Sequence, residues 1–201
     1  MADFLYSIDV AIFHFINSTI SNSLFDKFFP FITEVKHWYL LYVILLGIVW
    51  VKGGRKGKIA VIGSIILITI SDQFSSTFLK NWVMRIRPCQ VLDAKIFADS
   101  VDCPSSFSFP SSHAVNNFAV AIFFLRLFPK YKWILLITAF LVALSRTYVG
   151  VHYPSDIFFG GLIGAAIGYL LSIAALKTNE YFALQSYKKF GIKGSDNEDK
   201  T

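Results

Sequence analysis

The stretch of sequence that decides the fold is IFFGGLIGAAIGYLLSIAAL, residues 157–176. It runs for the roughly 20 residues that an α-helix needs to cross a hydrocarbon core of about 30 Å, and it carries no charge. A soluble helical bundle would have to bury this run on every side, and the sequence offers no second layer to cover it. Residues 157–176 therefore predict a transmembrane helix.

Other apolar runs lie N-terminal to this helix at the spacing of helical hairpins. The 201-residue chain is 55% hydrophobic and only 16% charged. Both observations predict an all-α fold, a polytopic membrane helical bundle with five to six transmembrane helices and an N-terminal interfacial helix. The expected spans are residues 32–51, 59–80, 114–128, 133–145 and 157–176.

The N-terminal residues differ from these spans. In residues 3–20 the apolar side chains recur at helical spacing among Asp9, His14 and Asn17, which favours a helix lying in the interface, with a true span as the alternative. Residues 22–32 predict a second short interfacial piece. No cleavable signal peptide is evident. We expect a single domain, 1–201, made of interfacial helices (1–31), a catalytic bundle (32–176) and a polar cytoplasmic tail (177–201), of which residues 188–201 are expected to be disordered.

The charges predict which side of the membrane each loop faces. A net charge of +6 would suggest nucleic acid for a soluble protein, but in a membrane protein it reflects cytoplasmic Lys and Arg, so no nucleic-acid partner is expected. The turn KGGRKGK (52–58), the turn near residue 130 and the tail share one face, which holds twelve of the nineteen basic residues. The positive-inside rule makes that face cytoplasmic and turns the opposite loops outward.

The two cysteines agree with this orientation. Cys89 and Cys103 both fall in the long outer loop, 86–110. In an oxidising compartment they can close a loop of about 15 residues, for near 3 kcal/mol. Two free thiols are the alternative, and we favour a disulfide.

Three clusters of polar side chains fall at helix ends on the outward side. Lys80 and Arg87 end the second span, Ser111, Ser112 and His113 begin the third, and the segment SRTYVGVHYPSD (145–156) joins the fourth to the fifth. A helical bundle would bring the three clusters together at one depth of the membrane.

The chemistry of these side chains points to phosphate. Lys80, Arg87 and Arg146 would converge on an anion, and the N-terminus of the third span adds backbone N–H groups beside two serine hydroxyls. His152 can attack phosphorus while Asp156, four residues later, holds its other ring nitrogen, and His113 can protonate the leaving oxygen. No metal or other cofactor is then needed. A metal site of His113, His152 and Asp156 is the alternative, disfavoured by the three cations.

These residues resemble the three signature motifs of the type 2 phosphatidic acid phosphatase superfamily. The first motif, Lys, six residues, then Arg-Pro, is matched by Lys80 and Arg87-Pro88. Pro110-Ser111-Ser112-His113 stands for Pro-Ser-Gly-His, and the third motif is matched by Ser145-Arg146, His152 and Asp156. The resemblance implies a phosphohistidine on His152 oriented by Asp156, His113 as general acid, and phosphate ligands Lys80, Arg87, Ser111, Arg146 and the backbone at 112–113.

Three further features of the sequence carry their own expectations. Ser112 replaces the motif glycine, so we expect an ordinary conformation at the start of a helix, with its hydroxyl a less certain ligand than its N–H. Asp72 lies within the second span, where it either bonds a neighbouring helix or tunes Lys80 and the substrate path. A stripe of small residues, Gly160, Gly164 and Gly168, predicts close helix packing rather than chemistry.

The resemblance implies a metal-independent integral membrane phosphatase that removes phosphate from a lipid headgroup. Undecaprenyl pyrophosphate is favoured as substrate, and phosphatidylglycerophosphate or lipid A phosphatases of the same family are alternatives. A haloperoxidase of the same superfamily is disfavoured by the short, membrane-bound chain. An alternative of another class is a non-catalytic protein that binds or transports lipid phosphates. We expect the bacterial inner membrane, an active site facing the periplasm, and a cytoplasmic C-terminus.

Overall fold

The structure is a computed structural model that describes residues 2–95 and 102–195. All regular structure in these residues is helical, which confirms the predicted all-α fold. The helices are α1 (Ala2–His14), α2 (Phe25–Thr33), α3 (Tyr39–Lys52), α4 (Gly54–Gln73), α5 (Lys80–Val83), α6 (Pro88–Val91), α7 (Ser112–Leu127), α8 (Lys132–Tyr148) and α9 (Pro154–Ser195). A π-helical segment, Phe15–Thr19, continues α1, and another, Phe74–Leu79, joins α4 to α5.

Helix α7 forms the centre of the bundle and packs against α4, α8 and α9. Its buried side chains, among them Phe123 and Leu127, form one apolar cluster with residues of α4 and α9. The glycine stripe of α9 faces α7, since a Cβ on Gly160 would lie 3.0 Å from the carbonyl oxygen of Ser111. At Gly164 and Gly168 a Cβ would overlap the backbone of α7. The predicted packing role of the stripe is confirmed.

Among the described residues, three helical stretches are long and apolar enough to cross a membrane by length and composition: Val35–Lys52, Gly54–Val91 and Pro154–Lys188. Helix α3 has no buried residue, as expected of a helix that faces lipid on most sides. Helices α7 and α8, of 16 and 17 residues, are shorter than the roughly 20 residues of a full crossing. The chain is an integral membrane protein, and five to six spans stays a prediction.

Helix α1 has two different faces, as the apolar spacing in residues 3–20 predicted. Phe4, Ile8, Ile12 and Phe15 are 41–66% exposed and form an apolar face with no protein partner among the described residues. The opposite face carries Tyr6, Asp9, Phe13 and, on the π-helical continuation, Asn17, and its last three residues are at most 8% exposed. The buried face of this helix contacts the outer loops of the bundle.

Two sequence expectations about chain ends and turns are wrong. Residues 188–195, expected to be disordered, are helical, because α9 runs without interruption to Ser195, and residues 196–201 lie outside the described residues. The segment 52–58 is mostly helix, with the turn confined to Gly53 and Gly54, where Gly54 has a φ of +56°. Gly53 and Gly57 both lie against the carbonyl of Val49, where a Cβ would overlap it, so α4 can begin directly beside the end of α3.

Asp72 makes a bond between helices, the first of its two predicted roles. The side-chain amide of Asn116 in α7 donates to Asp72 Oδ1 at 3.0 Å, and the hydroxyl of Ser71 donates to Asn116 Oδ1 at 2.7 Å. A carboxylate at this depth is satisfied by a neighbouring helix, so α4 and α7 are joined by polar contacts as well as by their apolar cluster.

Candidate active site

The backbone after α5 carries the first motif out of the helix. Met84 ends α5 with a φ of 53°, the one positive φ at a non-glycine residue in the described part of the chain. Arg87 is extended, as a residue before proline tends to be, and Pro88 is the first residue of α6. This break turns Arg85 and Arg87 away from the membrane-spanning helix and across the outer end of the bundle.

Arg87 is the most densely bonded side chain of the site. Its guanidinium donates to the Ser106 carbonyl at 2.6 Å, the Ser106 hydroxyl at 3.0 Å and the Phe107 carbonyl at 3.1 Å. It also donates to the Val151 carbonyl at 2.9 Å and approaches Nε2 of His152 at 3.1 Å. Only 2% of the residue is exposed. Arg87 therefore fixes the outer loop against the histidine.

His152 lies between this guanidinium and a carboxylate. Its Nδ1 is 3.5 Å from Asp156 Oδ2, longer than a good hydrogen bond, and that oxygen accepts the N–H of Tyr153 at 2.9 Å. Because a guanidinium only donates, Nε2 carries the lone pair and the ring hydrogen is on Nδ1. Burial lowers the pKa of His152 well below its usual range, and the charges of Arg87 and Arg146 lower it further. The imidazole is neutral at neutral pH.

The sequence YPSD explains the geometry around Asp156. Pro154 is the first residue of α9, where its fixed φ suits a helix start. Asp156 is the third helical residue, and its side chain reaches back to the N–H of Tyr153, which is one half of a capping box. The position that caps the helix also turns the carboxylate toward His152.

The side chains of His113 and Arg146 both contact Thr33, the last residue of α2. Nε2 of His113 lies 3.3 Å from the Thr33 carbonyl, and Arg146 donates to the Thr33 hydroxyl at 2.8 Å. Because a carbonyl only accepts, Nε2 of His113 carries its hydrogen and Nδ1 is left to exchange a proton. No motif marked Thr33, which is 3% exposed, as part of the site.

Lys80 and the two serines complete the sequence-predicted set. Lys80 is 7% exposed and lies close enough to Arg87, Arg146 and Asp156 to be influenced by their charges. The Ser111 N–H donates to the Asp156 carbonyl at 3.2 Å, while the Ser111 hydroxyl is buried without a hydrogen-bond partner. Ser112 starts α7 with a negative φ, as expected, and its hydroxyl accepts from Ser75 at 3.1 Å.

The outer loop is fastened at two places. Cys89 and Cys103 are joined by a disulfide in the structure. The side chain of Asn17 accepts the N–H of Lys95 at 2.8 Å and donates to its carbonyl at 2.9 Å. Residues 96–101, between these attachments, lie outside the described residues. The loop that carries Ser106 and Phe107 to Arg87 is thus attached to the N-terminal region as well as to α6.

Sequence reasoning missed Thr33 and Arg85, which contact motif residues, and Asp9, which bonds Arg85. Arg85 bonds Asp156 and Asp9, each at 2.7 Å. An aspartate in the apolar segment 3–20 was the one available signal, because such a carboxylate needs a partner, but nothing in the sequence named that partner. Within the described residues no group of three His, Cys, Asp or Glu side chains has the arrangement that could hold a metal ion.

A neutral histidine faced by buried cations at the end of a membrane helical bundle defines a membrane-bound phosphatase. The chain belongs to the PAP2 superfamily, whose sequence profile matches residues 61–180. That range contains all three motifs and the helices that position them.

Individual relatives and solved structures agree with this assignment. The chain is 33% identical over 186 residues to the lipid A 4'-phosphatase of Bacteroides thetaiotaomicron, covering 88% of this chain and 81% of that protein. It is 33% identical over 120 residues to the undecaprenyl-diphosphatase of Sulfolobus acidocaldarius, covering 59% and 55%. The crystal structure of Aquifex aeolicus LpxE has a TM-score of 0.61 and 28% identity and covers 85% of this chain and 95% of its own. The chain is thus similar to these relatives in sequence and to the LpxE structure in fold.

Proposed function

We propose that this chain removes phosphate from a membrane lipid headgroup through a phosphohistidine on His152. The observation that carries the proposal is the placement of the neutral His152 ring, with Nε2 3.1 Å from Arg87 and Nδ1 turned toward Asp156. The lone pair of Nε2 points at the guanidinium of Arg87, which is a proposed phosphate ligand. A phosphate bound to Arg87 would therefore lie within reach of Nε2. The imidazole is held in the tautomer that a nucleophile needs.

The reaction runs in two steps. Nε2 of His152 attacks phosphorus and forms a P–N bond while the P–O bond to the lipid breaks. For this step His113 is an imidazolium with a hydrogen on both ring nitrogens, and its Nδ1 gives a proton to the leaving oxygen. In the second step a water molecule, deprotonated by His113, attacks the phosphohistidine. The P–N bond breaks, inorganic phosphate leaves and His152 is restored. Asp156 stabilises the positive charge that develops on the His152 ring in the first step.

Lys80, Arg87 and Arg146 hold the phosphate and neutralise the charge on its oxygens in the transition state. Two buried atoms without a hydrogen-bond partner, the Ser111 hydroxyl and Nε of Arg146, support this assignment, because a phosphate oxygen would satisfy them. The Ser112 hydroxyl accepts from Ser75, and we assign the phosphate contact of Ser112 to its backbone N–H at the start of α7. The mechanism requires no metal ion.

The lipid is proposed from the relatives. The two lipid A 4'-phosphatases among them, from Bacteroides thetaiotaomicron and Porphyromonas gingivalis, are matched over 88% and 76% of this chain. We therefore place a phosphorylated glycolipid of the lipid A type first. Undecaprenyl diphosphate, which the short N-terminal layout and the outward-facing site favoured in the sequence, is the second candidate and is supported by the shorter match to an undecaprenyl-diphosphatase.

The proposed location is the bacterial inner membrane, with the site facing the periplasm and the C-terminus in the cytoplasm. The distribution of basic residues supports this orientation, and a Cys89–Cys103 disulfide on the site's own loop is what an oxidising compartment favours. A tag attached beyond residue 201 that reacts only in permeabilised cells would support it. A tag that reacts in intact spheroplasts would contradict it.

The test is phosphate release from four lipids in detergent micelles with EDTA present: lipid A, undecaprenyl diphosphate, phosphatidylglycerophosphate and phosphatidic acid. We expect turnover in EDTA, fastest with lipid A, and a loss of more than about 1,000-fold in His152→Ala, because the nucleophile is removed. His37→Ala, at an exposed histidine outside the site, is the matched control and keeps wild-type turnover.

Three results would contradict the proposal. Undiminished phosphate release by His152→Ala would exclude the phosphohistidine. Activity that disappears in EDTA and returns with a divalent cation would restore the metal alternative. Lipid binding without turnover of any of the four lipids would favour the non-catalytic alternative.

A further inference from the structure

We propose that Asp9, on the N-terminal helix, is a positioning residue of the active site that acts on Asp156 through Arg85 and Ser155. The inference rests on the proposed function, because it concerns how Asp156 is held against His152. It makes α1 a part of the catalytic apparatus, although α1 carries none of the three motifs.

Arg85 is held between two carboxylates. Its Nη1 donates to Asp156 Oδ1 at 2.7 Å, and its Nη2 donates to Asp9 Oδ2 at 2.7 Å. Nη1 also donates to the Ser155 hydroxyl at 2.7 Å. Asp156 is fully buried and Asp9 is 8% exposed, so both charges are largely removed from water. The guanidinium of Arg85 therefore bridges the two carboxylates, whereas the guanidinium of Arg87 contacts His152.

Asp9 also binds the first turn of α9 directly. Its Oδ1 accepts the N–H of Ser155 at 2.9 Å, and its Oδ2 accepts the Ser155 hydroxyl at 2.5 Å. The first N–H groups of a helix lack partners within the helix, and a carboxylate at that end is stabilised by the helix dipole. Asp9 thus fixes the start of α9, one residue before Asp156, from a helix 146 residues away in the sequence.

Aromatic contacts position the same two segments. The Arg85 guanidinium lies over the Tyr153 ring, 3.9 Å from its centre. Tyr6 and Phe13 of α1 contact the same ring, with centroids 6.0 and 5.9 Å away. Tyr153 follows His152 directly and is 1% exposed. The buried face of α1 therefore supports the backbone beside the nucleophile.

The arrangement decides which oxygen of Asp156 faces the histidine. Arg85 takes Oδ1, which leaves Oδ2 for the Tyr153 N–H and the Nδ1 side of His152. Asp9 partly neutralises the positive charge of Arg85. When Asp9 is replaced, Arg85 pairs with Asp156 alone and neutralises more of its negative charge. Asp156 then stabilises the imidazolium that forms during the reaction less well. Asp9 therefore affects the rate of the chemical step and leaves lipid binding unchanged.

The test compares Asp9→Asn with Asp3→Asn, an exposed aspartate on the same helix, using the same four lipids in micelles. Asparagine keeps Oδ1 for the Ser155 N–H and replaces Oδ2 by an NH2 group, so it removes the charge together with the acceptor used by Arg85 and the Ser155 hydroxyl. Groups that orient a ligand histidine in metal sites are worth about 10- to 100-fold. We expect a loss of that order in kcat for Asp9→Asn with KM within about twofold, and wild-type values for Asp3→Asn.

Arg85→Lys is the second variant, because it keeps the positive charge and loses the fork that spans two carboxylates. It should show the same fall in kcat at constant KM. If Asp9→Asn does not fold, as judged by size-exclusion chromatography in detergent, Arg85→Lys decides the question alone. Wild-type kcat in the folded variant, or a raised KM at unchanged kcat, would overturn the inference.

His152→Ala in the same assay separates the two proposals. If it is inactive while Asp9→Asn and Arg85→Lys match the wild type, the positioning role fails and the phosphohistidine mechanism stands. If His152→Ala keeps full activity, the mechanism itself fails.

Discussion

The two parts of the chain that meet at the site contribute in different ways. The bundle from α4 to α9 carries the three motifs, and its side chains face the phosphate position. The N-terminal part, α1 and α2, carries no motif, yet Asp9 bonds Arg85, within the first motif, and Thr33 bonds residues of the second and third. The groups proposed to do the chemistry come from the bundle, and several groups that hold them in place come from outside it.

The largest effect is expected from a substitution of Arg87, in the bundle. Arg87→Ala removes a proposed phosphate ligand and the bonds that fix the outer loop. We expect kcat/KM to fall by about 100- to 1,000-fold, the usual loss for one group that stabilises transition-state charge. Phosphate release from the four lipids measures it.

Arg87→Lys is the matched control for charge and should recover little of this loss, because lysine cannot reproduce the planar fork that contacts Ser106 and His152. Activity of Arg87→Ala within tenfold of wild type would show that substitutions in the bundle do not have larger effects on the rate than substitutions in the N-terminal part.

A variant of Thr33 tests the N-terminal side with a smaller change. Thr33→Val keeps the shape of the side chain and the carbonyl bonded to His113, and removes only the hydroxyl that accepts from Arg146. Hydrogen bonds to charged groups are worth about 1.5–3 kcal/mol, so we expect kcat/KM to fall by roughly 10- to 100-fold.

Thr33→Ser restores the hydroxyl and should return most of the activity. Equal rates for Thr33→Val and wild type would mean that the bond from Arg146 to α2 is not needed for activity. Asp9 would then be the one tested residue of the N-terminal part that affects the site.

The pH profile is the mildest test, because it alters no residue. Burial and neighbouring cations lower the pKa of His152, so the neutral nucleophile persists to lower pH than an ordinary histidine would allow. We expect kcat/KM, which reports the free enzyme, to lose activity on the acid side only below about pH 6.5. An acid limb at or above that pH would contradict the buried, neutral His152.

The bundle side of the site is predictable from the sequence. Residues 157–176 are long and apolar enough to predict a span, and the three polar clusters at helix ends have to face the same side. The spacing from Lys80 to Arg87 and from Arg146 to Asp156 is local, so the motif residues can be named from the order of amino acids alone. The packing role of Gly160, Gly164 and Gly168 is predictable for the same reason.

The N-terminal side is not predictable in this way. Asp9 and Arg85 are 76 residues apart, and nothing local in the sequence indicates their bond. Thr33 is an ordinary residue at the end of a short helix, and its role depends on how α2 packs against α8. Polar composition is also misleading in the tail, because no proline interrupts the chain after residue 176 and α9 simply continues.

The long separation between Asp9 and Ser155 has a consequence for how the protein is made. At about 5–20 residues per second, ribosomal synthesis needs roughly 7–30 s to travel the 146 residues that separate them. Arg85 is made first, 76 residues after Asp9, so Asp9 has a partner before Ser155 is synthesised. The bridge from Asp9 to Asp156 forms only once the start of α9 has emerged and inserted. The active site is therefore completed late in synthesis, after helices α1 to α8 have been made.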